Sequence, residues 1–112
     1  MENLQRIIQE SVPGKQVTLL HIISSPDPNV NDRIGVEAGR SLGILTLSPY
    51  ETAIIAADVA VKAGPVEVAF IDRFNGAVMI QGDVQGVEAA LLEVQRVFRE
   101  KLGFTVVEIT RT

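Results

Sequence analysis

Few residues in this 112-residue chain have side chains that could carry chemistry. His21 is the single histidine, and there is no cysteine. A catalytic imidazole needs a carboxylate to orient it and a nucleophile to activate. A metal needs several ligands converging from the sequence. No motif supplies either around His21, so its place inside an apolar segment predicts a sheet or interface histidine bonded to a neighbour. Asp72 and Asp83 could be pictured as a carboxylate pair for general acid–base work. Asp83, however, stands where a helix cap belongs, and Asp72 beside Arg73 reads as a strand-end charge. The glycines at 35, 39, 43, 64, 76, 82, 86 and 103 are scattered over turns and caps. None belongs to a phosphate loop or dinucleotide fingerprint, and no Gly-Lys-Ser/Thr occurs. Lys62 ends an alanine-rich segment, where a cation opposes a helix dipole. The residues therefore predict no catalytic group, no metal site and no cofactor.

Composition narrows the classes further. Apolar residues make up 46% and charged residues 21%, enough for one core and too apolar for a disordered tail. Ten Lys+Arg against fourteen Asp+Glu leave a net charge of −4. That balance argues against nucleic acid and against a polybasic membrane anchor. One Tyr, four Phe and no Trp are few for a surface that stacks bases or sugars. No signal-like start and no apolar run of membrane length is seen, which predicts the cytoplasm.

The elements follow from periodicity. Leu4–Glu10 is a short β-compatible arm, set off by Pro13-Gly14. Gln16–Ser24 reads as a strand, with apolar character so continuous that both faces could be covered. Asp27 caps a short helix from Pro28 to about Arg33, ended by Gly35. Ser41–Leu47 is a second strand. Ser48-Pro49-Tyr50-Glu51 then has the spacing of a capping box for a helix over about Pro49–Ala63, stopped by Gly64-Pro65. Val66–Asp72 and Ala77–Gln81 flank Arg73, Phe74, Asn75 and Gly76, and Asn-Gly at that place predicts a tight type I′ hairpin turn. Asp83 caps a helix to about Leu102 whose Val87, Leu91, Val94 and Phe98 share one face. Phe104–Ile109 is the last strand. The expected fold is α+β: helices on a mostly antiparallel sheet, with an N-terminal β arm.

Four stretches together resemble the circularly permuted shell proteins of bacterial microcompartments, the BMC-domain family. They are Arg6–Glu10 running into Val12–Leu19; Ile44–Pro49 with its helix; Phe70–Ala77; and Ile109–Thr112. The similarity is collinear over nearly the whole chain, and its nearest members are the permuted hexameric shell proteins of propanediol- and ethanolamine-utilisation compartments. The resemblance implies a ferredoxin-like, circularly permuted BMC domain and a flat homohexamer that tiles with other shell proteins into a polyhedral coat around metabolic enzymes, in the cytoplasm. It divides the chain into residues 1–12, an arm for a central β-barrel, and residues 13–112, the permuted shell domain. Leu4, Gln5, Arg6, Ile7, Ile8, Gln9 and Glu10 would build that barrel, as a plug or as a docking knob for an encapsulated enzyme's targeting peptide. Lys62 would make the hexamer-edge contact, although Ser24-Ser25-Pro26-Asp27 stands where ordinary shell domains place its arginine companion. The Arg73–Gly76 turn falls where those domains carry a glycine-rich pore loop. A small-molecule-binding regulator with an oligomeric ferredoxin-like core is the alternative, and it would need a basic or glycine-rich cleft loop.

Overall fold

The computed structural model describes residues 14–112; the arm residues Leu4–Glu10 lie outside them. One sheet of six strands has the order β3-β4-β2-β1-β5, with β6 also on β1. β1 is Gln16–Ile23, β2 Ser41–Ser48, β3 Val66–Asp72, β4 Ala77–Gly82, β5 Thr105–Val106 and β6 Thr110–Arg111. The pairs β1–β2, β2–β4 and β3–β4 are antiparallel. β5 and β6 run parallel to β1 in one register, Gln16 opposite Thr105 and His21 opposite Thr110. They are one interrupted strand rather than the continuous Phe104–Ile109 strand expected. At the break the carbonyls of Val106 and Val107 accept side-chain hydrogen bonds from Arg99 and Gln95, while the Val107 N–H still donates to the Val17 carbonyl.

Three helices complete the fold: α1 Pro28–Arg33, α2 Thr52–Ala63 and α3 Val84–Arg96. α3 continues into a π-helical turn over Val97–Lys101, so the helix expected to reach Leu102 changes its winding five residues earlier. Gly103 then reverses the chain at φ +71. The α2 and α3 helices pack on one sheet face. There Ala53, Ala56, Ala57 and Ala60 of α2 are buried, as are Val87, Leu91 and Val94 of α3 with Phe98 just beyond. Small side chains on α2 let it lie close to the sheet, while α3 supplies the volume. Phe98 meets Phe104 edge to face at 4.9 Å.

The second sheet face is less covered than the continuous apolar run in β1 suggested. Among the described residues only a small cluster of Val36, Leu42 and Met79 is buried there, and Thr18 is exposed. β1 therefore alternates, with a register shift between Val17 and Leu19.

Two local readings need correction. Ser48 does not cap α2: it remains in β2 opposite Gln16, and the helix begins four residues later. A three-residue turn bridges the gap, with Thr52, Ala53 and Ile54 N–H donating to the carbonyls of Pro49, Tyr50 and Glu51. The hairpin is not type I′ either. That turn needs positive φ at both central residues, and here only Gly76 is left-handed, at φ +72. Arg73–Gly76 is a four-residue loop instead, closed by the Gly76 N–H donating to the Asp72 carbonyl at 2.8 Å. At α1 the expectation holds: Asp27 Oδ1 accepts the Asn29 N–H at 2.8 Å, with Pro28 first in the helix. Asp83 occupies the cap position of α3, but its side chain makes no cap hydrogen bond.

Candidate functional site

The strands run between two ends of the molecule, and the residues singled out in the sequence divide between them. At one end β1 begins, so the chain enters from residues 1–13 there, beside Gly14 and Lys15. The Arg73–Gly76 loop lies at the same end, because the Leu47 N–H donates to the Gly76 carbonyl at 2.8 Å while Ser48 pairs with Gln16. α2 also starts here, at Thr52. Its 12 residues rise about 18 Å, which carries Lys62 to the opposite end. Ile23, Ser41 and Gly82 finish or begin their strands at that second end. Arm root and hairpin loop thus share one end of the sheet, and Lys62 marks the other.

The hairpin end is held by one carboxylate. Asp72 Oδ1 accepts the N–H groups of Phe74 and Asn75 at 3.0 and 3.1 Å, and Oδ2 accepts from Asn75 Nδ2 at 2.8 Å. The Asn75 side chain first, then its backbone N–H, lowers the Asp72 pKa below the ordinary carboxylate value. Arg73 lies over the Phe74 ring, 5.1 Å from its centroid. Asp72 is fully engaged in its own loop, and Asp83 stands beyond the far end of the six-residue β4, roughly 20 Å away. The two carboxylates do not converge.

His21 is a sheet histidine with both ring nitrogens engaged. Nδ1 is 2.6 Å from the Thr110 hydroxyl and Nε2 is 2.8 Å from that of Thr112. These bonds fasten the end of the chain to β1. Among the described residues no group of three His, Asp or Glu is placed to hold a metal, and no helix is long and apolar enough to cross a membrane.

Lys62 pairs with Asp58 one turn back, at 2.9 Å, with both side chains largely in solvent. Beside it an open groove follows the outer surface of α2 and α3, lined by Ala63, Leu92, Arg96 and Arg99 among others. Its charges are already paired: Arg96 reaches Glu93 at 2.7 Å, which lowers the Glu93 pKa and raises that of Arg96. What sequence reasoning missed is the exposed apolar surface at the hairpin end: Tyr50, Ile54, Phe70, Ile71 and Phe74. The signal was present in Phe70-Ile71. Two adjacent large hydrophobes in a strand point to opposite faces, so one of them must leave a one-sided core.

The family model for the BMC domain matches residues 41–111. The match begins at β2 and leaves β1 and α1 in front of it, although β1 lies inside the sheet between β2 and β5. The bacterial microcompartment shell protein PduU of Salmonella typhimurium is 51% identical over 108 residues, covering 96% of this chain and 93% of its own. Among solved structures, a CutR flat hexamer superposes with a TM-score of 0.87 at 48% identity, over 96% of this chain and 99% of that one. A fused permuted hexameric shell protein, MSM0275 from the RMM microcompartment, superposes with a TM-score of 0.70 at 26% identity, over 76% of this chain and 49% of that one. A domain whose first strand and helix precede the family match, yet complete its sheet, is a rotated version of that domain: the chain belongs to the BMC domain family, in circularly permuted form.

Proposed function

We propose that this protein is a structural shell subunit of a bacterial microcompartment. It forms hexamers that tile, with other shell proteins, into the polyhedral coat around metabolic enzymes. Near-complete coverage in both directions of a chain that forms a flat hexamer carries this reading. In it the chain performs no catalysis; its work is to present surfaces.

The placement of the two ends supports the roles within the hexamer. The arm, residues 1–12, is proposed to cap the hexamer centre, where its six copies would close a small barrel without open edges. The loop Arg73–Gly76 would then lie beneath it, because arm root and loop share one end of the sheet. Lys62, at the opposite end, would face the next hexamer. A long stem that packs flat while its ammonium reaches carbonyl oxygens suits such a contact. Size-exclusion chromatography with light scattering tests the assembly, with electron microscopy for sheets or tubes. A hexamer that forms extended layers is expected; a stable monomer or trimer at micromolar concentration would overturn the reading.

A further inference from the structure

Asparagine is a thermolabile residue, and Asn75 is the only asparagine in the chain that is followed by glycine. In a free peptide that pair is chemically unstable. The backbone nitrogen of the glycine can attack the asparagine side-chain carbon, because no Cβ on the glycine stands in the way. Asn3, Asn29 and Asn31 precede Leu4, Val30 and Asp32, whose side chains hinder the same attack. Asn75 is exposed, so water and hydroxide reach it.

We infer that Asn75 is a site of spontaneous deamidation, and that Asp72 is the residue that holds it unreacted in the folded loop. In the reaction the Gly76 nitrogen gives up its proton to hydroxide and forms a bond to Asn75 Cγ. The Cγ–Nδ2 bond then breaks, and the nitrogen takes up a proton from water and leaves as ammonia. The cyclic imide that results takes up a water molecule. Opening at the side-chain carbonyl gives aspartate, and opening at the backbone carbonyl gives isoaspartate. Hydroxide and water are the only co-reactants, and nothing is oxidised or reduced.

The loop opposes each of these steps. The Gly76 N–H is committed to the Asp72 carbonyl at 2.8 Å, which holds its proton in place. The Asn75 amide is turned back toward Asp72: its Nδ2 donates to Oδ2 at 2.8 Å, while the backbone N–H donates to Oδ1 at 3.1 Å. Ring closure needs that amide to turn forward, over the Gly76 nitrogen. An ionised carboxylate only accepts hydrogen bonds, so it gives no proton to the departing nitrogen. Gly76 itself is buried, and its carbonyl accepts the Leu47 N–H at 2.8 Å, which keeps it from moving toward the side chain. Once made, the change is one-way. A carboxylate at position 75 meets Asp72 with like charge and has no N–H to offer it. Isoaspartate adds a backbone carbon directly before the glycine. Either product undoes the bonds that shape the loop, whatever the assembly around it.

Ageing of the full-length chain in mildly alkaline buffer at body temperature tests this. Mass spectrometry of the tryptic fragment of residues 74–96 reads the conversion, since Asn75 is its only asparagine. The wild type is expected to convert more slowly than a free peptide of residues 68–80. Asp72→Ala should convert about tenfold faster than the wild type, the factor that loss of a charge-assisted hydrogen bond allows. Asp83→Ala, which removes a carboxylate outside the loop, should keep the wild-type rate, and Asn75→Ser should gain no mass in this fragment. Equal rates in Asp72→Ala and wild type overturn the inference. So does a wild type that converts as fast as the peptide, or a conversion that persists in Asn75→Ser. Circular dichroism checks the fold of Asp72→Ala. If that variant unfolds, Asp72→Asn takes its place: it keeps the shape and loses the charge, and it must still outpace the wild type.

Discussion

Asp72 and Asn75 are joined twice, by the Asn75 side-chain amide at 2.8 Å and by its backbone N–H at 3.1 Å, both donating to the one carboxylate. These bonds hold a four-residue loop in shape when only one of its members, Gly76, has a left-handed backbone.

The bonds favour the ionised form, so the folded pKa of Asp72 lies below the ordinary 3.8. A depressed carboxylate pKa gives stability that is complete above the unfolded value and is lost as pH falls through the folded value. The loop is expected to keep its order down to about pH 4 and to loosen in more acidic solution. Amide hydrogen exchange at Phe74 and Asn75, followed against pH, measures this. In Asp72→Asn the acid-dependent step should vanish, and both amides should exchange faster at neutral pH. Unchanged protection in that variant would count against the carboxylate as the organiser.

Gly76 faces two separate constraints. Its φ of +72 disfavours any residue with a Cβ, at a cost of about 1–2 kcal/mol. A Cβ there would also land on the Leu47 carbonyl oxygen, with Tyr50 close by. Gly76→Ala is therefore expected to cost more than about 2 kcal/mol, seen as a lower urea midpoint with the slope unchanged. By contrast Gly103, also left-handed, has open space where its Cβ would stand. Gly103→Ala should pay the backbone cost alone, and equal losses in the two variants would show that the clash is relieved.

Much of the fold was legible because its signals are local. The 3.6-residue spacing of Val87, Leu91, Val94 and Phe98 predicted the buried face of α3, and all four are buried. Asp27-Pro28 predicted a helix start, which is where α1 begins. The misreadings share another character. Ser48 has the composition of a cap but is claimed by its ladder partner Gln16. Asn75-Gly76 has the composition of a type I′ turn, yet Asp72 organises a longer loop with one left-handed residue. The gap between β5 and β6 coincides with side-chain bonds from Arg99 and Gln95 to the carbonyls of Val106 and Val107, partners that the strand pattern itself does not show. Tertiary partners decided each case, and periodicity does not encode them. The gathering of arm root and hairpin loop at one end, with Lys62 at the other, emerges only from strand order.

Lys62 allows fold and assembly to be separated. Its pair with Asp58 is exposed and one helical turn long, worth about 0.5 kcal/mol or less. Lys62→Asp removes it and places two acidic groups at the end of α2, so a small loss of thermal stability is expected with the hexamer intact. Tiling should suffer more: the variant replaces a donor at the proposed rim by an acceptor that carbonyl oxygens repel. Electron microscopy of variant and wild type at equal concentration is the comparison. Equal sheets or tubes from both would remove Lys62 from the lateral contact.

Deleting residues 1–11 separates the arm from the ring. Pro13-Gly14 sets the arm off from the domain of residues 14–112, which has a buried cluster of its own, so the shortened chain should still elute as a hexamer. Leu4, Ile7 and Ile8 are the only strong hydrophobes in the segment, few beside the buried set on α2, α3 and the sheet. Thermal stability of the subunit should therefore change little. The centre should change a great deal. Ile7 and Ile8 are neighbours, so in a strand they point to opposite sides; one would fill a barrel of six arms while the other stays outside it. Without the arms, electron microscopy should show an open ring with the six Arg73–Gly76 loops around its opening, where the full-length chain is expected to show a closed cap. Two results would refute the plug: a full-length hexamer with no density above the centre, or arms folded back on their own subunit's sheet.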